Sequence, residues 1–336
     1  MYILGLESSC DETSAAVVEM SDGVRRIKSN IVASQVEVHR LYGGVVPEIA
    51  SRAHIEVISS ITYRALSEAN ITLNDVGAVA VTSHPGLIGA LLVGVNFAKS
   101  LAYANKIPLV GVNHVHGHVA AAYLDRPELD GNFLSLVVSG GHTSFYKVSN
   151  YTSFEEIGST RDDAVGEAFD KIARVMGMPY PGGAAFDKLA YEGDKSALAF
   201  PSPAIVGDSL DFSFSGLKTA ALNYINSASQ KGIEINRADV AASYTDAVVK
   251  AIVKKSALAI DRCGADKFIM AGGVAANSHL RRALGELCEK KGVEFITPPI
   301  SLCGDNAAMI AAAGYFDFLD GKRADTALNA SACDFV

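Results

Sequence analysis

Cysteine is scarce in this sequence, and what there is does not pair. The 336 residues include five cysteines (Cys10, Cys263, Cys288, Cys303 and Cys333), an odd number with no Cys-x-x-Cys spacing. That argues against a disulfide framework and against a cysteine-rich zinc site. Long apolar runs are missing too. The longest uninterrupted one, Pro85 to Val95, is too short to span a bilayer. The opening residues have no basic region followed by an apolar core, because Glu7, Asp11 and Glu12 interrupt them early. No signal peptide is read there, and the cytoplasm is the expected location. Positive charge is not in excess: 29 Lys and Arg stand against 37 Asp and Glu, for a net charge of −8. Strong nonspecific nucleic-acid binding by this chain alone is therefore not expected. A nucleic-acid substrate stays open, since a local basic patch or a partner could supply the attraction. Two phosphate-binding signatures are also lacking. There is no Gly-x-x-x-x-Gly-Lys-Ser/Thr, and no Gly-x-Gly-x-x-Gly after the first strand, which disfavours the P-loop and Rossmann folds.

What is present describes a globular protein with an ample core: 49% hydrophobic residues, 20% charged and 30 glycines. The length suggests two domains, at roughly 150 residues each. The chain opens as strand, polar turn, strand: Tyr2–Leu6, Glu7–Ser14, Ala15–Val18. The same phrase returns at Phe133–Val138, Ser139–Thr143 and Ser144–Val148, which suggests a duplication with one unit opening each half. Further strands are expected at Ala78–Thr82, Leu109–Val112, Phe268–Ala271 and around Phe295. Helices are expected at Pro47–Ala69, Gly86–Ala104, Asp162–Met176, from Ala184, over Arg237–Cys263, from Ser278 and over Ala307–Leu319. Strands alternating with helices mean an α/β protein.

Two sets of residues carry chemistry. In Asn113-His114-Val115-His116-Gly117-His118, His114 and His118 are four residues apart, so on a helix both imidazoles share one face and can share a metal ion. A single histidine is more often a satisfied core or surface residue, so a third ligand is needed. Asp305, in Ser301-Leu302-Cys303-Gly304-Asp305-Asn306, is the best candidate. Metalloprotease helices put a glutamate directly after the first histidine; here that position is Val115, so a peptidase would lack its base. The second set comprises three glycine loops, Ser139-Gly140-Gly141, Pro181-Gly182-Gly183 and Gly272-Gly273, fit to bring backbone amides close to anionic oxygens. Asp163, Glu167 and Asp170 fall on one helical face, either as a solvated acidic face or with a carboxylate placed to hold ribose hydroxyls. Asn277 could hold a nucleotide or cap the following helix. A stripe of small residues, Gly86, Ala90, Gly94, Ala98 and Ala102, invites close approach of another helix, internal or from a partner.

Taken together, Gly5-Leu6-Glu7-Ser8-Ser9-Cys10-Asp11-Glu12-Thr13, His114-Val115-His116-Gly117-His118, Val138-Ser139-Gly140-Gly141-His142-Thr143, Gly272-Gly273-Val274-Ala275-Ala276-Asn277 and Gly304-Asp305-Asn306-Ala307-Ala308-Met309 closely resemble the TsaD family, of the bacterial type. That family was once known as O-sialoglycoprotein endopeptidase. The match runs the length of the chain, in order. The resemblance implies the actin-like, Hsp70-like and sugar-kinase-like ATPase fold, with two duplicated lobes around a nucleotide cleft. The expected division is 1–108 plus 306–336 for one lobe and 109–305 for the other. It implies transfer of the threonylcarbamoyl group from threonylcarbamoyl-adenylate to the exocyclic amine of adenosine 37, in tRNAs reading codons that begin with A, with AMP released. It implies one divalent metal per subunit, iron first and zinc second, on His114, His118 and Asp305. Substrate positions map onto Val137, Val138, Ser139, Gly140, Gly141, Asp170, Gly183, Asp187 and Asn277. Asp11 and Glu12 become candidates for proton handling or substrate orientation, with a hydrated turn as the plainer alternative. It also implies two partners, the related TsaB and the ATPase TsaE. The small-residue stripe then predicts a TsaB contact through the Gly86–Ala102 helix, one that Gly94→Leu should abolish while leaving the monomer folded. Homodimer or heterodimer is left open. Competing readings on the same residues are a sugar-kinase-like ATPase or phosphotransferase, which would use magnesium and so favour oxygen over imidazole, and an assembly scaffold with a closed, structural metal site.

Overall fold

The computed structural model describes residues 1–203, 205 and 207–333. The described residues divide into two compact units. The first holds Met1–Gly131, Ser149–Phe154 and Pro298–Val336; the second holds Asn132–Val148 and Glu155–Thr297.

The first unit is built on β1 (Tyr2–Glu7), β2 (Glu12–Ser21), β3 (Val24–Ser34), α1 (Val36–Arg40), α2 (Pro47–Glu68), β4 (Val76–His84), α3 (Ile88–Asn105), β5 (Leu109–Asn113) and α4 (His114–Asp125). Its sheet has the order β3-β2-β1-β4-β5. β1 pairs antiparallel with β2 and parallel with β4, and β4 pairs parallel with β5. Successive side chains of a strand face opposite ways. Leu4 and Leu6 accordingly pack into a core with Ile61, Ala65 and Leu66 of α2 and with Val95 and Ala98 of α3. Gly5 faces the other side. There a Cβ would stand 2.1 Å from the carbonyl oxygen of Ala307, the first residue of α10 (Ala307–Leu319). Glycine at this position lets a helix lie against the middle of the sheet. Apolar residues on both faces explain why β1 reads as a continuous hydrophobic run.

The second unit repeats the plan. β6 (Phe133–Val138), β7 (Thr143–Asn150), β8 (Ser153–Ser159), α5 (Val165–Val175), α6 (Gly183–Leu189), α7 (Ser215–Gln230), α8 (Arg237–Cys263), β9 (Lys267–Ala271), α9 (Ser278–Lys291) and β10 (Glu294–Ile296) follow in order. The sheet order is β10-β9-β6-β7-β8. β6 pairs antiparallel with β7 and parallel with β9, and β10 pairs parallel with β9. Each sheet thus begins with an antiparallel hairpin and adds parallel strands on the far side of its first strand. The duplication expected from the two polar turns is present in the topology.

Several expectations need correction. The expected division puts β5 and α4 with the second half, but β5 is hydrogen-bonded to β4, and Asp305 also lies in the first unit. The three candidate metal ligands therefore all belong to the first unit. β2 starts at Glu12 rather than Ala15, because Thr13 and Ser14 are buried and paired with Ala33 and Val32. The helix expected from Asp162 starts at Val165. Asp162 serves a later helix instead, where its carboxylate accepts from the amides of Phe214 and Ser215 at the start of α7. The small-residue stripe does not face a partner. Ala90, Gly94, Ala98 and Ala102 are buried in their own unit, and a Cβ on Gly94 would stand 2.4 Å from Ser8 Oγ.

Candidate metal centre and substrate loops

α4 begins where β5 ends. The Asn113 side chain accepts from the amides of Val115 (2.7 Å) and His116 (3.1 Å), an N-cap that fixes the first turn. His114 and His118 then lie one turn apart, ring centroids 4.7 Å from each other. The loop before α10 brings Asp305 to them: its Oδ1 is 3.6 Å from His114 Nε2 and 3.3 Å from His118 Nε2. Asn306 caps α10 by accepting from the Met309 amide, which anchors that loop. The three ligand atoms lie within 4.8 Å of one another. His116 turns away and stacks on Phe154 at 3.9 Å. Val115, the residue that follows the first histidine, is fully buried.

The donor set fits a metal ion. His118 is 1% exposed, and neither of its ring nitrogens has a hydrogen-bond partner among the described residues. An unsatisfied buried polar group costs about 1–3 kcal/mol, and a cation held with Asp305 would satisfy Nε2. Two imidazoles and one carboxylate suit iron or zinc better than magnesium. His114 is oriented from behind. Its Nδ1 lies 3.0 Å from Glu7 Oε2 and 3.1 Å from Ser9 Oγ, which leaves Nε2 for the metal side. Glu7 is itself held by the Thr82 hydroxyl at 2.6 Å and by the Ser9 amide. A carboxylate behind a metal-binding histidine fixes its tautomer and raises its basicity. Burial pushes the Glu7 carboxyl up, but the charge and hydrogen bond of His114 outweigh this and hold it below its ordinary value. In the sequence Glu7 belongs to the first motif without a role of its own. The signal that could have found it is an acidic residue at the end of a buried strand.

Asp11 and Glu12 stand in the same unit, on the turn between β1 and β2. Burial, then the charges of Asp305 and Asp11, push the Glu12 carboxyl up to about 9. Burial and the neighbouring carboxylates raise the Cys10 thiol as well, so Cys10 is not a thiolate nucleophile.

In the second unit the substrate candidates form a linked series. Val137 and Val138 are buried in β6, which delivers the turn Ser139–His142, closed by Ser139 N donating to His142 O at 2.8 Å. A Cβ on Gly140 or Gly141 would meet nothing within 4 Å, so protein packing does not demand glycine there. Close approach of a ligand would. α5 abuts this turn, its Gly166 amide donating to Ser139 O at 3.2 Å. Asp170 of α5 accepts from the Gly182 and Gly183 amides at 2.9 and 3.1 Å. Asp187 of α6 accepts from Ser278 Oγ at 2.7 Å, which ties α6 to the start of α9. The Asn277 side chain accepts from the Leu280 amide and caps α9, the plainer of its two expected roles. The series closes at Gly272, whose φ of +95° and 2.4 Å approach to Val138 O admit no side chain. Of the acidic face, Asp163 and Glu167 pair with lysines: Asp163 with Lys171 and Lys218, and Glu167 with Lys171.

The family model TsaD, described as tRNA N6-adenosine threonylcarbamoyltransferase, matches residues 26–312. A tRNA N6-adenosine threonylcarbamoyltransferase of Clostridium botulinum (strain 657 / Type Ba4) is 53% identical over 328 residues, 98% of this chain and 96% of that protein. One from Clostridium perfringens (strain 13 / Type A) is 51% identical over the same shares. Among solved structures, full-length HypF in its phosphate- and nucleotide-bound form superposes with a TM-score of 0.61 at 17% identity, covering 99% of this chain and 47% of that one. Component A of the Acidaminococcus fermentans (R)-2-hydroxyglutaryl-CoA dehydratase gives 0.54 at 18% identity, covering 94% and 97%. At such identities the structural likeness shows the fold alone, that of the actin-like ATPases.

Proposed function

The chain belongs to the TsaD family of tRNA N6-adenosine threonylcarbamoyltransferases, and we propose that it performs the transfer with the His114, His118 and Asp305 centre of its first unit and the glycine loops of its second. The donor is threonylcarbamoyl-adenylate, a mixed anhydride with a good leaving group. The exocyclic amine of adenosine 37 attacks the carbamoyl carbon, the new C–N bond forms, the C–O bond to the phosphate breaks, and AMP leaves with the bonding pair. An aromatic exocyclic amine is a poor nucleophile, so positioning and electrophile activation carry the reaction. The observation that supports this reading best is the convergence of two buried imidazoles and a carboxylate, with His114 braced from behind by Glu7.

A divalent metal, iron first and zinc second, would be held by His114, His118 and Asp305. When bound it supplies Lewis-acid polarisation of the carbonyl and offsets developing charge. The backbone amides of Gly140 and Gly141, in the turn that Ser139 closes, hold phosphate or carbamoyl oxygens. Val137 and Val138 fix that turn on a buried strand, Asp170 shapes the Gly182–Gly183 turn, and Asp187 and Asn277 set the start of α9 beside it. Asp11 and Glu12 orient substrate, or one of the two carboxylates takes up the proton that the amine loses.

TsaB and TsaE are the proposed partners, and the cytoplasm the proposed location. Among the described residues no helix is long and apolar enough to cross a membrane. For TsaB, the outer face of α3 replaces the small-residue stripe. An apolar groove of about 440 Å³ runs between α2 and α3, lined by Ile55, Ile58, Leu92, Val93 and Phe97. Ile55 is 65% exposed there and is the apolar residue of the groove most open to a partner.

The test is mass spectrometry of tRNA nucleosides. Unmodified tRNA is incubated with the chain, its partners and synthetic threonylcarbamoyl-adenylate, in parallel with metal analysis. His114→Ala and His118→Ala are expected to lose most bound metal and roughly a hundredfold or more of the transfer rate, the scale of several kcal/mol of charge stabilisation, with the fold intact. Full activity in either variant would refute the metal assignment.

A further inference from the structure

His54 is fully buried on α2, and both of its ring nitrogens are engaged by the turn that carries Asp11 and Glu12. Nε2 lies 2.9 Å from the Cys10 carbonyl oxygen and Nδ1 lies 2.7 Å from Thr13 Oγ1. A carbonyl oxygen only accepts, so Nε2 carries the proton, and Nδ1 accepts from the Thr13 hydroxyl. Burial holds the imidazole below its ordinary pKa, which agrees with this neutral form. The next peptide is held from the same helix. The Asp11 carbonyl accepts from the Gln35 amide at 3.0 Å, and the Gln35 side chain donates to the Ala50 carbonyl of α2 at 3.4 Å. His39, also fully buried, fixes Gln35 in turn through Nε2 to Oε1 at 3.1 Å. Ala50 and His54 are one helical turn apart, on one face. Both carbonyls of the Cys10–Asp11 segment are therefore tied to α2.

We propose that His54 is a positioning residue for the transfer reaction: it clamps the Cys10–Thr13 turn to α2 and so sets where the Asp11 and Glu12 carboxyls stand. The proposal rests on the reading that those two carboxyls take part in the transfer. The same helix turns Ile55, the following residue, into the α2–α3 groove.

The two hydrogen bonds can be removed separately. In the full chain with its partners, His54→Gln places an amide N–H near the position of Nε2 and retains the donor to Cys10. His54→Asn reaches only as far as Nδ1 and serves Thr13 alone. His54→Leu serves neither. Single-turnover transfer from threonylcarbamoyl-adenylate to tRNA is measured with bound metal and thermal unfolding. The expected result is a rate about ten- to a hundredfold lower in the Asn and Leu variants, the cost of a catalytic group displaced by about 1 Å. The apparent KM for the adenylate and the metal content should hold, and His54→Gln should recover most of the loss. Should the Leu variant fail to fold, the Gln and Asn pair decides. Equal rates in Gln and Asn, or losses that follow unfolding temperature alone, would overturn the proposal. Asp11→Asn and Glu12→Gln are run alongside. If they keep full activity, the carboxyl reading fails and the clamp has nothing to place. If they lose activity while His54→Asn keeps it, only the clamp fails.

Discussion

Glu7 is 1% exposed and still carries a charge, because everything around it donates. Thr82, the Ser9 amide and His114 Nδ1 all point at its two oxygens. Replacing it by Gln puts an amide N–H among donors and removes the anion behind His114. Metal affinity is expected to fall about ten- to a hundredfold, the usual cost of losing an outer partner of a ligating histidine. Competition titration with a metallochromic chelator reads this without any activity assay, and unchanged affinity would remove Glu7 from the centre. His116, between the two ligands in sequence, behaves differently. Burial, then the nearby His84 and Lys322, lower its pKa to about 3. Unfolded, it would protonate near 6.5. Its folded pKa is depressed, so its contribution to stability is complete above about pH 6.5 and is lost as pH falls toward 3. In metal-free protein, the denaturant-unfolding free energy should decline over that window. His116→Phe should take up to about one proton out of the slope while keeping the stack on Phe154. An unaltered slope would mean that His116 is protonated in the folded state.

At the level of elements, α3 shows how a pattern can be read correctly and faced the wrong way. Small residues every fourth place do mark a close approach, but the neighbour is the unit's own sheet. Gly94→Leu is therefore expected to unfold the first unit rather than release a partner. The new side chain would meet Ser8 Oγ and Val81 at once, and overpacking of this kind costs about 1–3 kcal/mol or more. Val93→Asp, on the groove side, should instead leave the monomer folded and weaken partner co-elution. Soluble, folded Gly94→Leu protein that no longer co-elutes with the partner would mean that the stripe faces the partner after all. Other elements escape sequence reasoning for specific reasons. β3 carries Arg25, Arg26 and Lys28 among its apolar residues, and this charge hides a strand at the sheet edge. α7 buries only Leu217, Ala221, Ile225 and Ala228, a stripe too narrow to stand out among serines and asparagines. Strands buried on both faces and helices with marked caps, such as α4 and α8, are legible because their signals are local.

On the scale of the whole molecule, the sequence discloses the duplication and the His114 and His118 pair, since both rest on repeated or closely spaced residues, while Asp305 reaches them only through the fold. It does not disclose to which unit each part belongs. β5 looks like the opening of a new half, yet strand pairing, a long-range property, puts it in the first sheet beside β4. The consequence is chemical: the proposed metal ligands fall in one unit, and the glycine loops with Asp170, Asp187 and Asn277 in the other. Two ligands should therefore stabilise two different sets of residues. A ligand that binds only the folded state adds about 2.7 kcal/mol at a hundredfold excess over its Kd. Zinc or ferrous ion added to metal-free protein is expected to slow amide exchange at the end of β1, in the first turn of α4 and around Asp305. AMP is expected to slow exchange at 137–141, around Gly183 and at the start of α9. His114→Ala should erase the first response and preserve the second, because its side chain belongs to the metal centre alone. Loss of the AMP response in that variant would mean that nucleotide binding requires the metal, and the two units could not then be treated as separate sites.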